Sequence, residues 1–561
     1  MKFTPFAFLL LILLPSFSVA QNTIIFKSPL NIKLNLAGNF GEIRGNHFDS
    51  GIDIKTNQRQ GYPVMAVADG FVSRLRVQEG GFGYAVYISH PNGITSVYAH
   101  LSKFNSTIAR WVKNYQYQNK TYATDFMLTP IEIPLKQGDV IGFSGNSGSS
   151  VAPHLHFETR DTKTEEIINP LNFGFDISDN VKPTIGALYV YQLNNKPFSN
   201  HTTKKLFAIK GAGGNYILAK NQVINVSGQI GFGIQTADKF SVNSNTNGIY
   251  STSMFVDDKL VFETVINKFS FETSRSINSY IDYPLLLNSG TTVQKNFVAA
   301  GIKPNFYTTL VNNGKLNITD ENQHQIKYIV KDFAGNSSQL NFKIKGVLNA
   351  NADLASTLAK GKLFRFDEDN EVVEPDFKVQ ILKNTLYDDL DFTYNKTPIN
   401  KLKNTFIYHV HHKLTPLHTT FNLWIKPDSA ILNPQKAVIV NTNGIYQGGQ
   451  LDNGLIKATP KTFGSFYISI DSLPPQIKPI FKTSNLGLAS KMQFKISDNL
   501  SGIKSYNGYI NNQWVLMEFE SKTNILTHFF DERTGFGKHT FKLIVVDNKD
   551  NTKEYTTTFY R

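Results

Sequence analysis

Short runs in which apolar and polar residues alternate, broken by glycine, asparagine and aspartate turns, recur from Tyr62 to Arg561. Such alternation puts successive side chains on opposite faces of a strand, a period that a helix cannot satisfy. The chain is therefore expected to be mainly β, with an N-terminal antiparallel β-sheet domain followed by several β-sandwich domains. One stretch departs from this pattern. Ile108, Trp111, Val112 and Tyr115 fall at i, i+3, i+4 and i+7, and Asn105 or Ser106 can cap the start. This spacing predicts a short amphipathic helix inside an insertion of about residues 104–130, with a packing role preferred to that of a lid.

Length and composition limit how these strands are grouped. The 561 residues exceed what one hydrophobic core serves, and at about 150 residues per domain they predict about four domains. With 43 Phe and 24 Tyr there is aromatic material for several cores. There is no cysteine, so each domain must be large enough to hold itself together by burial rather than by disulfides.

Met1 to Ala20 reads as a signal peptide, with Lys2, an apolar run from Phe6 to Leu14 and the small residues Ser18-Val19-Ala20. The run is short of the ~20 residues a bilayer requires, and no later stretch is long and apolar enough to span. The mature protein is expected to be exported, to the periplasm, the cell envelope or beyond. Its formal charge of +13 is spread without a dense Lys/Arg block. That balance favours anionic envelope polymers, and export argues against a nucleic-acid partner.

The chemistry concentrates in residues 21–175. In Pro153-His154-Leu155-His156-Phe157-Glu158 the two histidines alternate along a strand and share one face. Two imidazoles so placed can divide a hydrolytic task, one binding a metal and the other handling protons. Glu158 lies on that face too, where a solvated strand-end carboxylate is preferred to a partner of the histidines. Upstream, Asp49-Ser50-Gly51-Ile52-Asp53 places two carboxylates at even spacing around a glycine. A further strand, Thr95 to Leu101, carries His100 near its end.

These blocks, SGIDI at 50–54, ADG at 68–70, GYAVYISHPNG at 83–93, YAHL at 98–101, KQGDVIGFSGNSGSS at 136–150 and PHLHFE at 153–158, resemble the lysostaphin-like (LytM-type) zinc endopeptidases. That family cuts peptide crosslinks in peptidoglycan. The resemblance covers about residues 40–162 and implies one Zn²⁺ per chain, with Asp53 and His156 as ligands and His100 and His154 as the catalytic histidines. It breaks at one position, because the family's first ligand is a histidine four residues before the aspartate and here that residue is Asp49. Aspartate oxygen is an acceptable zinc donor at about 2.0–2.2 Å, so a metal set of Asp49, Asp53 and His156 is chemically feasible. A second anionic ligand neutralises more of the metal's charge and weakens its polarising power. His47, two residues earlier, could reach the metal only if the strand slipped.

The resemblance implies a metalloendopeptidase acting on peptidoglycan peptides, or a degenerate homologue that binds the wall or regulates another hydrolase. An adhesive or scaffolding β-protein is the third reading. Beyond Arg160 a linker at 176–183 leads to β-sandwich units expected at 181–346 and 474–561, both immunoglobulin-like, and a sandwich-like unit at 347–473. These C-terminal units are candidates for contact with an envelope protein. Tyr328 to Asn336 resembles Val545 to Asn551, each a strand running into an Asp/Gly/Asn turn, and Ser497 to Gly502 is a related turn. His409, His411, His412 and His418 read as ordinary surface histidines, since no carboxylate nearby completes a ligand set. Ser144 and Ser147 lack the GxSxG pattern of a serine hydrolase.

Overall fold

The computed structural model describes residues 25–241, 244–347, 361–400, 403–429, 431–481 and 484–561. The signal peptide expected at 1–20 lies outside the described residues. Strands dominate throughout. In the N-terminal unit they form an antiparallel sheet in the spatial order Leu36–Gly38, Ile52–Lys55, His154–Asp161, Ile94–Leu101, Tyr84–Ser89, Gly70–Val77 and Thr124–Met127. Ile52, Ile54, Leu155, Phe157 and Tyr98 point to one face and join a core with Val72, Leu75, Val86 and Ile88. Alternation then sends His154, His156, Glu158 and Arg160 to the other face.

The helix forms at Ser106–Asn119. The Asn105 side chain caps it by accepting from the Ile108 N–H, and Lys120 ends it in the left-handed conformation. Ile108, Val112 and Gln116 are buried, while Tyr115 stacks on Phe126 with ring centroids 4.4 Å apart.

All strands from Thr184 to Gly346 except Lys268–Phe269 pair into one twelve-stranded sheet. It is not wholly antiparallel: Asn215–Leu218 and Val223–Val226 lie end to end along Ser337–Gly346 and both run parallel to it. This unit is fused to the first. Ile167–Ile168 pairs with Lys268–Phe269, and Phe40, Phe48, Ile167, Ile266, Phe269, Tyr280 and Phe306 form a shared core. Two five-stranded sheets follow between Asn370 and Ile470 around Phe377, Val379, Leu423 and Ile439, and two four-stranded sheets between Gln476 and Tyr560 around Phe494, Phe541 and Leu543.

The last unit folds back onto the first. Tyr506 Oη donates to Glu79 Oε1 at 2.6 Å, Tyr84 Oη donates to Glu518 Oε2 at 3.1 Å, and Lys113 pairs with Asp531 at 2.6 Å. Arg533 lies 4.2 Å above the Tyr117 ring, and Lys522 Nζ donates to the Asn146 carbonyl. The outer face of the helix is thus a docking surface for the C-terminal unit. No described helix is long and apolar enough to cross a membrane.

Candidate metal centre

Register brings the site together. His156 lies directly opposite Asp53 on the Ile52–Lys55 strand and opposite Ala99 on the Ile94–Leu101 strand. Alternation would send His100 to the face opposite Ala99. His100 instead has φ +60°, a left-handed conformation costing roughly 1–2 kcal/mol for a non-glycine residue. This breaks the alternation, and its ring lies 4.9 Å from that of His154 and 5.8 Å from that of His156. Local strain of this kind is held in place by its surroundings, here a hydrogen bond from Nδ1 to the Ser147 carbonyl at 2.9 Å.

Asp49 enters from the loop before its strand, and Phe48, locked in the core shared with the second unit, fixes it there. One ligand atom from each of Asp49, Asp53 and His156 lies within 4.8 Å of the others. His156 Nδ1 is 2.8 Å from Asp53 Oδ1 and 3.9 Å from Asp49 Oδ1, so both carboxylates turn Oδ1 toward the same ring nitrogen. His154 Nε2 is 3.3 Å from Asp53 Oδ1, and its Nδ1 faces the Ala152 carbonyl at 2.8 Å. All five residues singled out from the sequence therefore meet at one place. His47 does not: it is exposed, with Nδ1 2.8 Å from Asn46 Oδ1.

Several neighbours were not singled out. Arg44 Nη2 donates to Asp49 Oδ2 at 2.6 Å and to Asp53 Oδ2 at 2.9 Å. The guanidinium therefore holds the rear oxygens of both carboxylates and leaves their Oδ1 atoms facing His156. Glu158 is fully buried, which overturns the reading of it as a solvated strand end. Its Oε2 accepts from Arg160 at 2.8 and 2.6 Å, and its Oε1 from Ser50 Oγ and, at 3.1 Å, from His156 Nε2. The second unit covers the Arg160 end of this face, since Arg160 also sits 4.6 Å from the Phe271 ring. Phe82 stacks on His156 at 5.4 Å.

The electrostatics follow from these contacts. Burial and then the adjacent Asp53 charge push the Asp49 pKa up to about 6. Burial also acts to raise Asp53, but hydrogen bonds from His154 and His156 outweigh it and hold that carboxyl well below its ordinary range. For His156 burial favours the neutral ring, yet contacts to Asp53 and Glu158 keep its pKa well above the usual value. Burial, reinforced by His156 and His154, pulls His100 down to about 3, so it is a neutral base. An all-oxygen and imidazole donor set of this size fits zinc.

The other histidine group is less exposed than its sequence implies. His411 is half-buried against Phe392 and Phe463, and burial lowers its pKa to about 4. His409 and His418 are half-buried as well, and only His412 is exposed. None of them joins a metal-ligating cluster among the described residues.

Residues 47–121 match peptidase family M23, and residues 361–471 match the Zu5-like domain. The N-terminal unit thus carries a peptidase M23 domain of the LytM/lysostaphin-like kind. Among curated proteins, DD-carboxypeptidase/endopeptidase Mpg of Neisseria meningitidis serogroup B is 38% identical over 101 residues, 18% of this chain and 18% of its own length. Glycyl-glycine endopeptidase ALE-1 of Staphylococcus capitis is 32% identical over 115 residues, 20% of this chain and 24% of its own length. The catalytic domain of lysostaphin from Staphylococcus simulans is 23% identical, covering 25% of this chain and 88% of that domain with a TM-score of 0.18. The match thus spans a quarter or less of these two curated relatives.

Proposed function

We propose that this chain is an exported zinc metalloendopeptidase that hydrolyses peptide crosslinks of bacterial peptidoglycan, with one zinc held by Asp49, Asp53 and His156. The convergence of those three side chains within 4.8 Å, beside two further histidines, carries this reading. A bound zinc supplies Lewis acidity toward the scissile carbonyl and lowers the pKa of water. Glu158 accepts the Nε2 proton of His156 and so leaves Nδ1 as the donor toward the metal. His100 spends Nδ1–H on the Ser147 carbonyl, which frees its Nε2 to take a proton or, once protonated, to donate to an oxyanion, while His154 gives Nδ1–H to the Ala152 carbonyl and turns Nε2 toward Asp53 Oδ1. Arg44 offsets the anionic ligand that replaces the family's histidine, because an aspartate paired with a guanidinium has the net charge of a neutral imidazole.

Arg44 also favours a second reading, a degenerate homologue that binds the wall without cutting it. Together with a protonated His156 it already balances both carboxylates without a metal. Zinc content and digestion of crosslinked muropeptides by the purified chain separate the two. The hydrolase reading expects one zinc per chain, a loss of cleavage of at least about a hundredfold in Asp49→Ala, and activity retained in Asp49→His. A metal-free, inactive parent that gains cleavage only in Asp49→His would establish degeneracy.

Between about pH 6, below which Asp49 also holds a proton, and the raised pKa of the His156 ring, zinc binding must displace one proton, so its affinity should rise about tenfold per pH unit in that window. Zinc titration at several pH values measures the slope, and a flat profile would remove His156 from the ligand set.

A further inference from the structure

We propose that the chain carries two calcium sites, one formed by Asp179, Asp238 and Asp332 and the other by Asp471, Asp498 and Asp547. In each trio one carboxylate oxygen from every residue lies within 4.8 Å of the others. Calcium binds oxygen at about 2.3–2.6 Å, so ligand atoms on one ion can stand up to about 5 Å apart. The spacing is that of a shared ion.

Two observations point to a ligand rather than to a chance acidic cluster. The first is orphaned oxygen. Asp238 is 2% exposed and Asp471 is 0% exposed, yet Oδ1 of each has no hydrogen-bond partner. Asp179 Oδ2, Asp498 Oδ1 and the buried Ser501 Oγ are unpartnered as well. Among the described residues no salt bridge involves any of the six aspartates. Buried carboxylate oxygens without partners, packed against other carboxylates, are unfavourable unless a cation joins them.

The second is repetition. The two trios share a design although they lie in units with different sheet arrangements. The third aspartate of each follows or ends a long strand, Gln323–Lys331 or Lys538–Asp547. Four residues later an asparagine bonds back: Asn336 N and Nδ2 donate to Asp332 at 2.9 and 2.8 Å, and Asn551 N and Nδ2 donate to Asp547 at 2.9 and 2.8 Å. The same asparagine amide reaches the backbone carbonyl of the first aspartate, Asp179 at 3.3 Å and Asp471 at 3.0 Å. That first aspartate lies where the chain enters the unit from the preceding one. The middle aspartate follows a strand in both cases, Gly228–Ala237 and Lys491–Ser497.

Oxygen-only donors from three separate segments suit a hard cation. Calcium accepts irregular, carboxylate-rich cages, whereas magnesium usually keeps several of its waters. The ion would tie the entering segment to two strand ends and so brace each junction between units. This inference is independent of the zinc reading.

The test uses the full chain stripped with EGTA and titrated with calcium chloride in zinc-free buffer. Calorimetry should count two calcium ions per chain, and the Tm of the stripped protein should rise by about 4 °C or more at saturating calcium. Asp238→Asn and Asp471→Asn should each bind one ion fewer. A stripped wild-type chain that binds no calcium and keeps its Tm would overturn the proposal, whether or not the variants fold. An equal count and Tm rise with magnesium would overturn the choice of calcium.

Discussion

Phe48→Ala should destabilise the protein by about 3–5 kcal/mol, the usual cost of emptying an aromatic site in a packed core. Phe48 is fully buried between Tyr280 and Phe306, with ring centroids 5.6 and 5.3 Å away, and its N–H donates to Ser274 Oγ. All three partners belong to the second unit, so the loss should appear as weakened docking of the two units. Denaturant unfolding monitored by near-ultraviolet circular dichroism measures it. Because Asp49 follows directly, zinc affinity should fall with stability. A loss below about 1 kcal/mol would mean that the two units do not share a tight core.

Glu158→Leu is the second large effect. It leaves the Arg160 guanidinium buried without its bidentate partner and removes an acceptor from both Ser50 and His156. Breaking a buried pair from one side costs about 3–5 kcal/mol. The pH dependence has a definite sign. Burial acts to raise the Glu158 pKa, but Arg160 and His156 outweigh it and bring the carboxyl down to about 2 from an ordinary value of 4.5. A depressed carboxyl contributes stability that is present above 4.5 and disappears as pH falls through about 2. Wild type and Glu158→Leu should therefore differ most near neutrality and converge in strong acid. Parallel stability curves between pH 2 and 6 would show that the charge of Glu158 contributes nothing.

The parts of the site that alternation governs were legible from the residues. Asp53, His154 and His156 lie on strands, and a period of two settles which way each side chain faces. Glu158 and Arg160 continue the same face, so their pairing could have been read from the i, i+2 spacing of opposite charges. Arg44 stands five residues before Asp49 in a loop, where no period links position to direction. His100 is at the right place in the chain, but its left-handed backbone is imposed by contacts that no local pattern encodes. The helix was legible from its spacing, and its cap from Asn105. Its partner was not, since Lys113 and Asp531 are separated by more than four hundred residues of intervening chain.

The contact between the first and last units makes the molecule a closed loop. Lys522 grips the carbonyl of Asn146, and the next carbonyl, that of Ser147, anchors the His100 ring. Among its several contacts, the C-terminal unit therefore bears on the backbone beside a histidine of the metal centre. A pull on the carboxyl end is shared among the helix, Glu79 and the segment that seats the imidazole, so the position of the C-terminal unit bears on that ring.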